Sequence, residues 1–204
     1  MKITTLVLGE LQTNCYLVSD NDEALIIDPA DSPEFIAEKI ERLNLRPCAV
    51  IATHGHFDHI LAAAGLQIIF NIPFLINKND LPIVSYMQKS AGHWLGRKIP
   101  EPVPVPDKFV KENDIVIAGG IKLKVLETSG HTPGSICLYD EKESVLFCGD
   151  LLSKDYIGRT DFPYGDAEKI KSSLARIFLL PVKTTIYPGH GESFCLEERG
   201  LSLL

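Results

Sequence analysis

The stretch Thr53-His54-Gly55-His56-Phe57-Asp58-His59-Ile60 decides the fold of this chain. It places three histidines and one aspartate within six residues, directly after an apolar run that predicts a buried strand. Imidazole and carboxylate groups are the ligands that zinc, iron and manganese accept in proteins. His54 and His56 are two apart on an extended segment and face the same way, whereas Asp58 and His59 begin the next helix. The stretch therefore predicts a metal site whose two parts can serve two ions.

Histidine and aspartate follow three further apolar runs in the same manner. His131 follows the run 121–128 and His190 follows 183–187, and the glycines beside each histidine let the backbone turn sharply. Asp150 follows a third run, and a carboxylate has two oxygens with which it can bridge two cations. Each of these turns alone would be typical of an ordinary strand end. Together they predict a set of seven metal ligands: His54, His56, Asp58, His59, His131, Asp150 and His190.

Asp28 ends another apolar run, directly before Pro29. One interpretation is a carboxylate that accepts the free N–H of a ligand histidine and supports the metal site from behind. The other is an aspartate that forms a turn before proline. The sequence alone leaves both open.

The composition excludes several classes of partner. The 204 residues suit a single domain that folds without disulfides or a structural metal, so a metal is expected for chemistry. The formal net charge is −7 and no block of lysine and arginine forms a phosphate footprint, which argues against nucleic acid. No apolar run approaches the roughly 18 residues needed to cross a bilayer, so we expect no membrane association. The oligomeric state is left open.

Two further features predict a cytoplasmic protein. The segment from Met1 to Leu8 lacks the basic region, apolar core and cleavage site of a signal peptide, and it predicts a first strand instead. The five cysteines are odd in number and form no C-x-x-C pair, which is typical of a reducing compartment.

A proline-rich segment divides the chain into two halves. Residues 100, 102, 104 and 106 are all proline, so this segment is neither a central strand nor a helix interior and is predicted to be an extended connector. In each half, about 1–99 and 107–204, an apolar strand ends in an acid and is followed by a helix and a further strand. Ser32 and Asp166 are predicted to cap these helices. We expect two similar halves packed face to face, with helices outside.

The chain resembles the metallo-β-lactamase superfamily, over a single domain of residues 1–204. The resemblance lies in four features that follow one another along the chain: H-x-H-x-D-H, a Gly-His pair, a strand-end aspartate and a late histidine. The resemblance implies an α/β fold, a four-layer αββα sandwich with metals at one edge of its two sheets. It also implies a division of the ligands: His54, His56 and His131 for site 1, Asp58, His59 and His190 for site 2, and Asp150 as the bridge.

Two divalent ions so placed share a water and lower its pKa toward neutrality, and Asp58 is predicted to orient the resulting hydroxide. Zinc is the expected metal, and iron and manganese also suit these ligands.

Within the superfamily, four segments resemble glyoxalase II-like hydrolases: Thr13-Asn14-Cys15-Tyr16, Ile27-Asp28-Pro29, Gly130-His131-Thr132-Pro133-Gly134-Ser135 and Gly158-Arg159-Thr160-Asp161-Phe162-Pro163. This resemblance implies cleavage of thioesters such as S-lactoylglutathione. Full-length glyoxalase II has a C-terminal helical region that helps to hold glutathione, whereas only fourteen residues follow His190 here. The chain therefore resembles a short branch, in which specificity for glutathione thioesters is open.

Substrate contacts are expected from the segment between Asp150 and the helix at 166. Arg159 either binds a substrate carboxylate or forms a salt bridge with Asp161 or Asp166. Lys154 and Tyr156 are further candidates on the same segment. His93 and Trp94, before the proline segment, either line the mouth of the site or form a packed Trp beside a surface His.

Three other functions share parts of this pattern. A persulfide dioxygenase with one iron has the same histidine loop and a segment like 158–162, although the run Pro188-Gly189-His190-Gly191 favours a second metal. A lactonase-type hydrolase has the same fold. A non-catalytic metal-binding protein would be expected to lose ligands, whereas this chain has all seven.

Overall fold

Two six-stranded sheets form the centre of the protein in the computed structural model, which describes residues 1–199. The strands of the first sheet pair in chain order: β1 (Lys2–Leu8), β2 (Thr13–Asp20), β3 (Glu23–Ile27), β4 (Arg46–Ile51), β5 (Phe74–Ile76) and β6 (Lys108–Phe109). Those of the second sheet do the same: β7 (Ile115–Ala118), β8 (Ile121–Glu127), β9 (Ile136–Asp140), β10 (Val145–Gly149), β11 (Thr185–Pro188) and β12 (Phe194–Cys195).

Seven α-helices accompany the sheets within the described residues. They are α1 (Pro33–Arg42), α2 (Phe57–Ile60), α3 (Ala63–Phe70), α4 (Leu81–Ser85), α5 (Met87–Leu95), α6 (Ala167–Ile177) and α7 (Leu196–Arg199), with a 3₁₀ turn at Lys78–Asp80. Each sheet begins with antiparallel strands and continues with a parallel pair, which a helix connects as β3-α1-β4 and β10-α6-β11.

Alternation along β2 explains how the layers form. Successive side chains of a strand point to opposite faces. Cys15 and Leu17 pack with Ile36 of α1 on the outside of the first sheet, whereas Tyr16 and Val18 pack between the two sheets. A third apolar cluster lies between the second sheet and α6. The order of layers is therefore helix, sheet, sheet, helix, and the predicted αββα fold is confirmed.

The two predicted helix caps differ in outcome. The Asp166 side chain accepts hydrogen bonds from the amides of Glu168 and Lys169 at 3.1 and 3.0 Å, as expected of a cap. Ser32 does occupy the N-cap position of α1, directly before Pro33, but its backbone is left-handed, with φ of 56°, and its side chain forms no cap hydrogen bond. The neighbouring Asp31 instead accepts from the amide and the hydroxyl of Ser32.

The proline segment leads from α5 back into the first sheet. It is irregular, and the chain after it forms β6, which pairs in parallel with β5. The first sheet thus takes two residues from beyond position 107. The assignment of a single domain stays a prediction, and residues 200–204 lie outside the described part.

All five cysteines are free thiols. Burial raises the pKa of Cys137 to about 12. Among residues 1–199, no helix combines the length and the apolar character needed to cross a membrane.

Candidate metal centre

All seven predicted ligands come together at the carboxyl ends of β4, β8, β10 and β11. Each belongs to at least one group of three side chains whose ligand atoms lie within 4.8 Å of one another. These groups are His54, His56 and His131; His54, His59 and Asp150; and Asp58, His59 and His190. The first sheet supplies four of these side chains and the second sheet three, so the centre lies where the two halves meet.

The spacing of the donor atoms suits metal binding. His56 Nδ1 lies 3.1 Å from His54 Nε2 and 2.9 Å from His131 Nε2. Asp58 Oδ2 lies 3.3 Å from His190 Nε2 and 3.5 Å from His59 Nε2. Ligands arranged tetrahedrally at zinc–nitrogen distances of about 2.0–2.1 Å stand about 3.3 Å apart. The two groups are therefore close to the separations that an ion would require.

Asp150 faces both groups at once. Its Oδ1 lies 3.4 Å from His59 Nε2 and 3.7 Å from His190 Nε2, whereas its Oδ2 lies 3.5 Å from His131 Nε2. The two oxygens of this carboxylate thus point to different histidine groups. This is the arrangement that a bridging ligand needs.

One buried nitrogen lacks a partner unless an ion is present. His59 is fully buried, and within residues 1–199 its Nε2 makes no hydrogen bond, although Asp58 and Asp150 lie beside it. A buried polar atom without a partner costs free energy, so native structures rarely retain one. A metal ion bound to His59 Nε2 would satisfy it. The residues present therefore fit a metal.

Burial and neighbouring charge put three of the predicted ligands, His54, His56 and Asp150, in their metal-binding forms. Burial, together with nearby imidazoles, lowers the pKa of His56 to about 4 and that of His54 well below its usual value. Burial would raise the pKa of Asp150, but the positive field of His59 outweighs it and holds that pKa well below its usual range. At neutral pH His54 and His56 therefore offer uncharged imidazoles and Asp150 an ionised carboxylate, which are the forms that bind divalent metals. Burial would lower the pKa of His59 and of His190, but the neighbouring carboxylates outweigh it and raise both, so these two histidines would release a proton on binding an ion.

A hydrogen bond at the remaining nitrogen orients each of four ligand histidines. Asp28 Oδ2 lies 3.0 Å from His59 Nδ1 and also accepts from the Thr53 hydroxyl at 2.8 Å. The other partners are the Thr53 hydroxyl for His54, the Arg159 carbonyl for His131 and the Leu11 carbonyl for His190. Such partners hold the ring with Nε2 facing the metal. For Asp28 this geometry favours the supporting role over a simple turn.

Comparison with known proteins agrees with this geometry. A profile of the Metallo-beta-lactamase superfamily matches residues 8–190. The chain belongs to the metallo-β-lactamase superfamily. It is 35% identical over 196 residues to the hydroxyacylglutathione hydrolase GloC of Haemophilus influenzae, a match that covers 94% of this chain and 91% of that protein.

Two solved structures of the superfamily are similar over nearly their full length. The BLEG-1 B3 metallo-beta-lactamase has a TM-score of 0.89 and 32% identity, covering 97% of this chain and 95% of that one. TTHA1623, solved in a di-iron-bound form, has a TM-score of 0.88 and 35% identity, covering 96% of each chain. The protein is thus a metallo-β-lactamase superfamily hydrolase, and its histidine and aspartate cluster suits two divalent ions.

In this superfamily hydrolase, Arg159 is already paired. Its guanidinium donates two hydrogen bonds to Asp161, both 2.7 Å long, and lies 3.9 Å over the ring of Phe162. The salt bridge considered for Arg159 is therefore present with Asp161. Lys154 lies 3.4 Å from Glu198, and Tyr156 exposes about half of its side chain.

Two aromatic rings lie at the mouth of the centre. The Phe162 ring is 5.8 Å from the ring of His56, and the Trp94 ring is 5.9 Å from Phe162. Trp94 is 54% exposed. It is therefore not packed into the core, and of the two interpretations of His93 and Trp94 the structure favours the mouth of the site.

Three polar residues near the ligands were not predicted individually from the sequence. Thr13 donates from its hydroxyl to Asp58 Oδ2 at 3.0 Å. Asn14 and Asp80 are buried and hydrogen-bond to loops that carry ligands. The quoted segment Thr13-Asn14-Cys15-Tyr16 was a signal for the first two. For Asp80, the local sequence has no distinguishing pattern.

We predict that Gly189→Ala weakens metal binding at both sites by at least about tenfold, as supporting contacts do when lost. A Cβ at Gly189 would lie 2.2 Å from Asp150 Oδ1 and 2.6 Å from His59 Cε1, so the loop must move away from the bridging carboxylate. Metal content after dialysis measures the effect. Ser193→Ala, an exposed position in the same loop, is the matched control and should keep its metal. Full metal content in Gly189→Ala would contradict the prediction.

Proposed function

We propose that this superfamily hydrolase is a dinuclear enzyme that cleaves thioesters of the hydroxyacylglutathione type. In this proposal His54, His56 and His131 hold one ion, and a second set of residues, Asp58, His59 and His190, holds the other. Asp150 bridges them, and the opposed directions of its two oxygens are the observation that carries the proposal. Zinc is the proposed metal, with iron or manganese as alternatives, and the partner is a small molecule. A cytoplasmic location stays a prediction.

The resemblance to GloC supports the substrate class. That relative is named a hydroxyacylglutathione hydrolase, and the match covers nearly all of both chains. Aromatic rings beside His56 and the cation of Arg159 above Phe162 provide a surface for an acyl group and for a carboxylate of the substrate. Arg159, Lys154 and Tyr156 remain proposed substrate contacts. Because Asp161 already holds the Arg159 guanidinium, a substrate carboxylate has to share or replace that partner.

When bound, two divalent ions supply Lewis-acid chemistry, which polarises a carbonyl oxygen and acidifies water. The residues of this chain supply position and proton acceptance. Asp58 has an oxygen, Oδ2, that receives a hydrogen bond from Thr13 and lies 3.3 Å from His190 Nε2. From there it can orient an attacking water and accept its proton.

The overall reaction needs no separate general acid. A bond forms between the water oxygen and the acyl carbon, the carbon–sulfur bond breaks, and its electron pair leaves on sulfur. A thiol has a pKa of about 8.5, so the leaving thiolate requires little protonation. The products are a carboxylic acid and a thiol. The absence of any further acid among the seven ligand residues is therefore consistent with a thioester substrate.

The test combines metal content with turnover. Protein loaded with zinc, iron(II) or manganese is analysed for metal and assayed with S-lactoylglutathione, a lactone, a β-lactam and a glutathione persulfide. We expect two ions per chain and release of free thiol from S-lactoylglutathione faster than turnover of the other three substrates. One iron per chain together with oxygen consumption on the persulfide would support the dioxygenase instead. A dinuclear protein that prefers the lactone would identify a lactonase.

A further inference from the structure

Asp80, a residue outside the ligand set, connects two of the loops that carry ligands. It is fully buried in the 3₁₀ turn and accepts three hydrogen bonds. The amide of Gly55 donates to Oδ2 at 2.8 Å, the hydroxyl of Thr132 donates to Oδ2 at 2.7 Å, and the amide of Gly134 donates to Oδ1 at 2.6 Å. Gly55 stands between His54 and His56, and Thr132 follows His131. One carboxylate thus joins the loops of all three ligands of the first group.

Glycine at position 134 makes this contact possible. A Cβ there would lie 2.7 Å from Asp80 Oδ1 and 2.8 Å from the Asp80 amide nitrogen, which is closer than side chains approach. The absence of a side chain at Gly134, the second glycine of Gly130-His131-Thr132-Pro133-Gly134, therefore allows Asp80 to come within hydrogen-bond distance of this loop. A buried carboxylate is costly unless donors surround it, so three donors from two loops indicate a specific structural role.

Asn14 forms a comparable connection to the loop of His190. It is 2% exposed, and its side-chain amide donates to the carbonyls of Pro188 and Gly191 at 2.9 and 2.8 Å. Its backbone amide donates to the carbonyl of Gly189 at 2.7 Å. Asn14 on the first sheet therefore holds three residues around His190 on the second. The hydroxyl of Tyr16, two positions along the same face of β2, also donates to the Pro188 carbonyl.

The two connections share no residue. Asp80 bonds to the loops of His54, His56 and His131, and Asn14 bonds to the loop of His190. A ligand whose backbone is held loosely loses affinity for its ion, because binding must then order the loop as well. We propose that Asp80 and Asn14 are positioning residues, each of which sets the affinity of one metal site and leaves the other unaffected. This inference rests on the division of ligands given under the proposed function.

The test measures metal affinity directly. Zn²⁺ is titrated into the full-length apo-protein in competition with a chromophoric chelator, which resolves two binding steps. His56→Ala and His190→Ala serve as references, because each should remove one step and so identify it. We expect Asp80→Asn to weaken the step that His56→Ala removes by about 10–100-fold, and Asn14→Ala to weaken the step that His190→Ala removes by a similar factor. Each variant is the control for the other.

A milder pair of variants separates positioning from folding at Asp80. Thr132→Val removes one donor to Asp80 and keeps the shape of the side chain, whereas Thr132→Ser keeps the hydroxyl. We expect only the valine variant to weaken the first step, and thermal unfolding of both apo-proteins shows whether the fold is intact. At the other site, Tyr16→Phe removes one donor to the Pro188 carbonyl and should weaken only the second step.

Two results would overturn the inference. An equal loss of Zn²⁺ affinity at both binding steps in every variant would indicate general destabilisation of the fold. Unchanged affinities in well-folded variants would show that these hydrogen bonds do not affect metal binding. A different failure concerns the proposed function itself. If His56→Ala and His190→Ala did not each remove one step, the division of ligands would be wrong, and this inference would fall with it.

Discussion

Replacing Asp150 with asparagine is expected to lower kcat/KM for thioester hydrolysis by about 10³-fold or more. In Asp150 one carboxylate oxygen faces His59 and the other faces His131. Asparagine has a single oxygen and an amide nitrogen that binds metal poorly, so it can offer a metal-binding atom on one side only. Metal stabilisation of the transition state is worth several kcal/mol, and each 1.36 kcal/mol corresponds to about tenfold in rate. Steady-state kinetics together with metal analysis of the purified variant measures the effect.

Asp140 offers the matched control for this substitution. It is also a buried aspartate at the end of a strand of the second sheet, and its carboxylate accepts from the amide of Glu143 at 3.0 Å. Asp140→Asn should lose stability at most and retain both metals with kcat/KM close to that of the parent. An Asp150→Asn enzyme with two metals and less than a tenfold loss would show that Asp150 does not bridge the ions.

Removal of metal by a chelator is expected to lower the melting temperature by about 10 °C. An ion present at a thousand times its Kd stabilises the folded state by about 4 kcal/mol, and 1 kcal/mol shifts the melting temperature of a chain this size by about 2–4 °C. Without the ion, the buried Nε2 of His59 has no hydrogen-bond partner in residues 1–199. Differential scanning calorimetry with and without chelator measures the shift, and added Zn²⁺ should reverse it.

The control for this experiment is a variant that lacks a ligand from each proposed site. His56→Ala combined with His190→Ala should melt at nearly the same temperature with and without chelator, because it binds little metal to lose. A parent protein whose melting temperature stays within about 2 °C after complete metal removal would contradict the expectation. It would mean that the metal-free cluster of histidines and aspartates does not lower the free energy of unfolding.

Much of the centre could be predicted because the residue types and spacings that suit metal binding occur within short segments of the sequence. The loop from Thr53 to Ile60 follows a buried strand, and alternation along an extended segment sends His54 and His56 the same way. The structure brings these residues together with His131, Asp150 and His190. The cap at Asp166 was predictable for the same reason, since its partners lie two and three residues along the chain.

Contacts between distant residues could not be predicted in this way. Asp80 lies 25 residues from Gly55 and 54 from Gly134, and no spacing in the sequence connects them. The missing side-chain cap at Ser32 has a local cause, because its backbone is left-handed and its hydroxyl donates to Asp31 Oδ1 instead. From the sequence, Arg159 could form a salt bridge with either Asp161 or Asp166. In the structure it pairs with Asp161, because the Asp166 carboxylate accepts a backbone hydrogen bond at the start of α6.

By itself, the sequence determined which side chains are predicted to bind metal and which strand ends carry them, because residue type and spacing within a few positions depend only on the local backbone. The tertiary structure decided which ligand atoms face one another. Packing of apolar side chains between the two sheets brings four strand ends to one edge. It also turns the two oxygens of Asp150 toward different histidines, and it brings Asp80 and Asn14 to loops far away in the chain. Distances of this kind depend on how the two halves dock, and no local pattern encodes that.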